Sequence, residues 1–339
     1  MTDRRSLHFG AVLLGGGAPA PARADDDASA DLSTLVGRAR ELETSGFAAL
    51  IVEERVDPFE PFTLLGALST TTATIGLVAA VSAVIGQPFP LARRTATLDH
   101  LSHGRAGWQP VAGADEARTL EFVGVVRALW DSLADDAIVA DKSTGLYLRG
   151  DRRHAISHRG EFFRVDGPLN LSRPPQGHPV VIVADVPAVS RSLAVRYADV
   201  ITTSPSTLEQ AITERRMLDA ALTAEGRVPS DVRVWADVAP LLVSAGGAIA
   251  EAASADTSSA VDEGDDDDAI ADRVELWADS GAVDGFVVDL PTLGERGRIV
   301  VERILPSLVA RGRVVPPTGE TLREHLALPR PGDGHGAAA

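Results

Sequence analysis

Short, nearly continuous apolar runs alternate along this chain with longer stretches of helical periodicity, and that alternation restricts the fold more than any other feature. The runs are LHFGAVLL (7–14), AALIVEE (48–54), TIGLVAAVS (74–82), RAGWQPV (105–111), PVVIVA (179–184), ADVITT (198–203), VRVWADVAPLLV (232–243) and DGFVVDL (284–290). Because they are apolar on both faces, they read as strands of a parallel sheet covered on both sides. Between the first two, Leu32, Leu35, Val36, Ala39 and Leu42 form a helical stripe that Gly46 stops. Further helices are expected from about Pro61, from about Pro88 to Leu101, and over about 116–134. Eight strands separated by helices make an α/β protein with the strand count of a (β/α)8 TIM barrel, and 339 residues are enough to build one.

Three segments stand apart from the alternation within what reads as one domain over 1–339. Residues of about 135–178 are rich in Gly, Asp, Arg and His and too long for a simple connection, so they read as an insertion. Residues of about 244–268 are low in large apolar side chains and end in an acidic run, which reads as a flexible surface loop. The same aspartates suit the N-terminus of the helix that follows, through its macrodipole. The third is a C-terminal tail of about 312–339.

Lys and Arg number 32 against 48 Asp and Glu, a net charge of −16 that disfavours nucleic acid and anionic membrane partners. Cysteine is absent, so a redox role has to come from a bound cofactor. The stretch RRSLHFGAVLLGGGAPAPARA imitates a twin-arginine export signal, whereas the competing reading makes residues 7–14 the first strand.

In a parallel barrel the chemistry gathers at the C-terminal ends of the strands. There the chain offers the glycines at 15–17, Glu53, Glu54, Ser82, the segments 109–113, 185–190 and 202–204, and Asp289. No dinucleotide fingerprint, P-loop or zincin motif is present. Glu53 and Glu54 are adjacent on a strand and point to opposite faces, so one of them enters the pocket, with Glu54 preferred. His100 and His103 suit packing at a helix end better than metal ligation, and no metal site is expected. His154 and His158 lie in the insertion.

The stretch PFEPFTLLGALSTTTATIGLVAAVSAVIGQPFPLARRTATLDHLSHGRAGWQPV closely resembles the bacterial-luciferase-like flavin monooxygenases, in the branch of nitrilotriacetate and dibenzothiophene-sulfone monooxygenases. The resemblance continues through ISHRGEFFRVDGPLNLSRPPQGHPVVIVA and reaches LPSLVARGRVVPPTGETLREHLALPRP, so it spans nearly the whole chain in order. It implies a luciferase-like barrel that binds reduced FMN from a separate NAD(P)H-dependent flavin reductase and oxygenates a small organic substrate. It also implies a cytoplasmic homo-oligomer, dimer or tetramer, with residues 7–14 as strand one. Two other readings stay open: a barrel that has lost FMN and serves as a partner subunit or small-molecule binder, and a deazaflavin-dependent reductase.

Carried over by position, the resemblance places Glu54, Ala80, Ser82, Gln109, Asp185, Val186, Pro187 and Ser190 at the cofactor, and His158 near the substrate. Several of these depart from the family pattern. Ala80 stands for Thr and Gln109 for Asn, and the segment with a His and an Arg-Tyr pair after Gly113 is missing. The phosphate loop reads VADVPAVSR, where Gln-Ala-Gly-x-Ser followed by Gly is usual. Pro187 removes an N–H and a hydroxyl together. Asp185 adds a charge that, at about 5 Å and an effective dielectric of about 20, costs a phosphate roughly 3 kcal/mol.

Overall fold

The computed structural model describes residues 6–14, 31–54, 59–84, 86–113, 115–184, 190–242, 267–317 and 321–333. Eight parallel strands close a barrel: β1 His8–Leu14, β2 Ala49–Glu53, β3 Gly76–Ser82, β4 Ala106–Val111, β5 Val180–Ala184, β6 Val200–Thr203, β7 Arg233–Asp237 and β8 Gly285–Asp289. β1 pairs with β8 on one side and with β2 on the other, so residues 7–14 are the strand that closes the sheet. This removes both sheet edges.

Helices cover the outside: α1 Leu32–Ser45, α2 Pro61–Ser69, α3 Pro88–Leu101, α4 Glu116–Trp130, α5 Arg191–Tyr197, α6 Leu208–Ala224 and α7 Asp267–Asp279. A helical run from 290 to 310 follows β8. Local chemistry sets several of their ends. The Asp31 carboxylate accepts Thr34 N–H and Asp115 accepts Arg118 N–H at the starts of α1 and α4. Gly46, at φ +96°, ends α1 in a left-handed conformation that costs glycine little.

The pleat sorts the strands' side chains into two layers. Phe9, Leu50, Leu77, Trp108, Val181, Ile201 and Phe286 pack outward against the helices. Val12, Ile51, Val78, Ala80, Ile182, Val200 and Trp235 fill the barrel. Trp235 has room because β1 and β8 carry glycine beside it: a Cβ on Gly10 would lie 2.6 Å from its ring, and one on Gly285 2.8 Å.

Strand ends differ from the sequence expectation by a few residues. β7 stops at Asp237, well before residue 243, because the Asp237 carboxylate accepts Ala239 N–H and turns the chain into a 3-10 segment, Ala239–Leu242. The insertion carries two short antiparallel ladders, Ile138–Asp141 with Leu146–Leu148 and His158–Arg159 with Arg164–Val165. Most of the acidic stretch lies outside the described residues. Its last two aspartates, Asp267 and Asp268, open α7 and pair with Arg303 and Arg311.

The tail does more than trail from the barrel. Residues 321–328 enter the N-terminal mouth, where Leu322, Leu326 and Leu328 join the interior apolar layer. Arg323 is buried beneath the strands and takes both oxygens of Asp199. Arg330 pairs with Asp135 on the insertion, and Arg173 donates to the carbonyls of Pro331 and Gly332. Among the described residues no helix is long and apolar enough to cross a membrane.

Candidate functional site at the C-terminal mouth

With its lower end filled by the tail, the barrel offers its chemistry at the ends of the strands. Pairing registers define which residues share the inner face there. Glu53 stands beside Ala80, and Ala80 beside Gln109. Ser82 is one pleat higher, opposite Val111. On the other side Ala184 pairs with Thr202, and Asp237 with Val287. The floor below them is aliphatic: Val12, Ile51, Val78, Ile182 and Val200.

The structure brings together Glu54, Ala80, Ser82 and Gln109 at the ends of β2, β3 and β4. Ala49 and Ile51 face the interior, so the pleat turns Glu53 inward, where the sequence reading preferred Glu54. Glu54 lies past the end of β2. Its N–H donates to Ala80 O at 2.9 Å, and its Oε2 accepts Ser82 N–H at 3.2 Å. Ser82 Oγ in turn accepts Val84 N–H, which leaves its O–H as a donor. Glu54 therefore fixes the end of β3.

Gln109 and Thr202 are half-buried on the inner face, and neither side chain has a hydrogen-bond partner among the described residues. Neutral polar groups held ready over an apolar floor are what a small-molecule site uses to orient a ligand. Thr202 was legible in the sequence only as one member of a strand-end segment.

Asp237 was missed. The apolar run continues beyond it to residue 243, so its place at a strand end carried no signal in the sequence. It is half-buried on the inner face, and burial pushes its carboxyl above the usual range. The Ala239 N–H opposes that rise, and the nearby Asp289 carboxylate adds to it. Asp289 itself is occupied: it caps the helical turn after β8 through Thr292 N–H at 3.1 Å and the Thr292 hydroxyl at 2.8 Å.

The luciferase-like monooxygenase family model matches residues 9–273, most of the chain. The chain belongs to that family. One of the two similar components of the pristinamycin IIA synthase of Streptomyces pristinaespiralis is 36% identical, with 91% of this chain and 93% of that protein covered. The N-acetyl-S-(2-succino)cysteine monooxygenase of Bacillus subtilis is 29% identical, with 97% and 98% covered. That alignment runs over 433 positions on a chain of 339, so about a hundred positions of the relative have no counterpart here. A solved EDTA monooxygenase from a Chelativorans species superposes with a TM-score of 0.78 at 23% identity, over 96% of this chain and 99% of that one. At that identity the likeness shows the fold.

In this luciferase-like barrel the β4 to α4 connection is short, with Val111 and Glu116 only a few residues apart. On the β5 side, Asp185, Val186 and Pro187 lie outside the described residues. Ser190, just before α5, is buried, and its hydroxyl donates to Ala184 O at 2.5 Å, tying the start of α5 to the end of β5.

His158 belongs to the hairpin beside α4. Its Nε2 lies 2.8 Å from Glu121 Oε1, and the same carboxylate accepts Phe162 N–H at 3.0 Å and Phe163 N–H at 2.8 Å. Burial acts against the Glu121 charge, but His158 and these two N–H groups hold its carboxyl below the usual range. The imidazole and the carboxylate therefore lock the hairpin onto α4.

Proposed function

We propose that this protein is a flavin-dependent monooxygenase, using reduced FMN from a separate NAD(P)H-dependent flavin reductase and O₂ to oxygenate a small organic substrate. Family membership supports monooxygenation. The observation that carries the site is the pair Gln109 and Thr202, without side-chain partners among the described residues and held over an apolar floor at the C-terminal mouth. The donor set suits a flavin ring, with Gln109, Thr202 and the Ser82 hydroxyl for its polar edge and Ala80 and Ile51 beneath its face. Glu54 acts by fixing β3, and Ser190 by tying the start of α5 to the end of β5. His158 acts by anchoring its hairpin to α4 through Glu121.

Bound reduced FMN supplies the electrons that activate O₂. The chain's own residues hold the ring, exclude water with the aliphatic floor, and keep a protonatable carboxyl, Asp237, at the rim. On this reading the protein works in the cytoplasm as a homo-oligomer. Titration with FMN tests it: bound flavin should quench, and Gln109→Leu with Thr202→Val should weaken binding by about tenfold, as expected for the loss of one or two neutral hydrogen bonds. Unchanged affinity in the double variant would place the flavin elsewhere.

A second reading is favoured by the inward carboxylates Glu53, Asp237 and Asp289, which raise the cost of a phosphate at the mouth. It makes the protein a non-catalytic barrel acting as a partner subunit or small-molecule binder. Two different components of the pristinamycin IIA synthase both resemble this chain, so related barrels do serve together in one enzyme. Absence of binding at near-millimolar FMN would favour this second reading.

A further inference from the structure

The N-terminal mouth holds titratable groups for which the proposed chemistry has no use. His8, the first residue of β1, is buried, and its Nε2 donates to the carbonyl of His325 in the tail at 3.1 Å. The two imidazoles meet edge to face with centroids 5.2 Å apart. His8 Nδ1 and His325 Nε2 are buried with no hydrogen-bond partner among the described residues. Each is content as a bare nitrogen, but once protonated each becomes a buried N–H without an acceptor. Arg233 of β7 stands beside them, donating to the carbonyls of Leu326 and Ala327 at the end of the same tail turn. Two neutral imidazoles and one guanidinium can share this space. Three cations cannot do so without strong repulsion.

We propose that residues 321–328 form an acid-releasable plug, with His8 and His325 as the paired groups whose charging expels it from the barrel. Burial lowers the His8 pKa, with its bond to His325 opposing and Arg233 adding to the fall; burial and His8 lower that of His325 to about 4. The folded pKa values lie below the unfolded ones, so the docked tail is most stable above about pH 6.5 and weakens as pH falls toward the folded values.

The other charges around the plug behave differently. Asp284, next to His8, favours the charged imidazole, but its carboxylate is already engaged by Arg215 at 2.8 Å. Asp199 is deeply buried, yet Arg323 holds its carboxyl below the usual range, so that pair survives mild acid as a hinge. Glu324 faces outward, locked to Thr321 in a capping box. Asp99 reaches the plug through Gln176, and burial raises its carboxyl to about 6 against the pull of the Gln176 bonds; its protonation relieves a buried charge as pH falls, so it opposes release and the histidines alone drive it. Release would open the mouth and expose Leu322, Leu326 and Leu328, which now pack with the barrel interior.

Hydrogen exchange read by mass spectrometry on the full chain tests this, comparing about pH 7.5 with about pH 5 after correction for intrinsic exchange. Protection over 321–328 should fall about tenfold or more at the lower pH, while the 180–184 peptide stays protected. The variant His8→Gln with His325→Gln keeps a side-chain donor at position 8 and cannot charge, so its plug should stay protected. Full protection in the wild type at the lower pH, or equal loss in the double variant, overturns the proposal. Should the double variant fail to fold, NMR titration of the wild-type imidazoles decides: midpoints well below 6.5 for both histidines support release, and ordinary midpoints overturn it.

Discussion

Arg323 and Asp199 form a doubly bonded ion pair, 3.0 and 2.7 Å, across 124 residues of sequence and beneath the barrel floor. The same guanidinium also donates to the carbonyls of His178 and Pro329. The pair ties the tail to the entrance of β6. Replacing Arg323 by Met leaves a buried carboxylate uncompensated, which costs about 3–5 kcal/mol. Urea denaturation should show a loss of that size, with part of it regained when Asp199→Asn is added.

Glycine positions should behave oppositely according to their surroundings. Gly10→Ala drives a Cβ to within 2.6 Å of the Trp235 ring and should destabilise by about 1–3 kcal/mol. Gly37 is inside α1 with open space around a Cβ, so Gly37→Ala should stabilise by about 0.5–1 kcal/mol. Thermal unfolding of the two variants should show shifts of opposite sign.

The hairpin on α4 depends on one missing methyl group. A Cβ on Gly160 would fall 2.0 Å from Glu121 Oε1 and 2.6 Å from His158 Nε2. Gly160→Ala should therefore break the His158–Glu121 contact and loosen residues 158–165. Hydrogen exchange of the Phe162 and Phe163 amides should rise while the barrel strands remain protected.

Glu43 gives the loop before β3 its acid sensitivity. Its Oε1 accepts the N–H groups of Ala73, Thr74 and Ile75, and these outweigh burial to lower its pKa. With the folded pKa below the unfolded value, its contribution is present above about pH 4.5 and is lost as pH falls through the folded value. Stability measured against pH should lose that acid-side slope in Glu43→Gln. Glu43→Ala should cost about 1–3 kcal/mol at neutral pH, because three donors lose their acceptor.

The strand and helix alternation, the first strand at residues 7–14 and the C-cap at Gly46 were all legible in the sequence. Each is written in neighbouring residues: a strand covered on both faces has to be apolar throughout, and a left-handed cap favours glycine. The positions Ala80, Ser82 and Gln109 were legible too, as strand ends of a recognisable family. What the sequence could not determine is how these residues face one another. Strand-end geometry turns Glu53 inward and leaves Glu54 to hold β3, and an Asx turn ends β7 at Asp237 inside an unbroken apolar run. The tail read as an appendage because its partners, Asp199, Gln176, Arg233 and His8, lie far away along the chain and leave no periodic signal near residue 323. Only closure of the barrel brings those groups to one mouth, where burial makes their pairing obligatory.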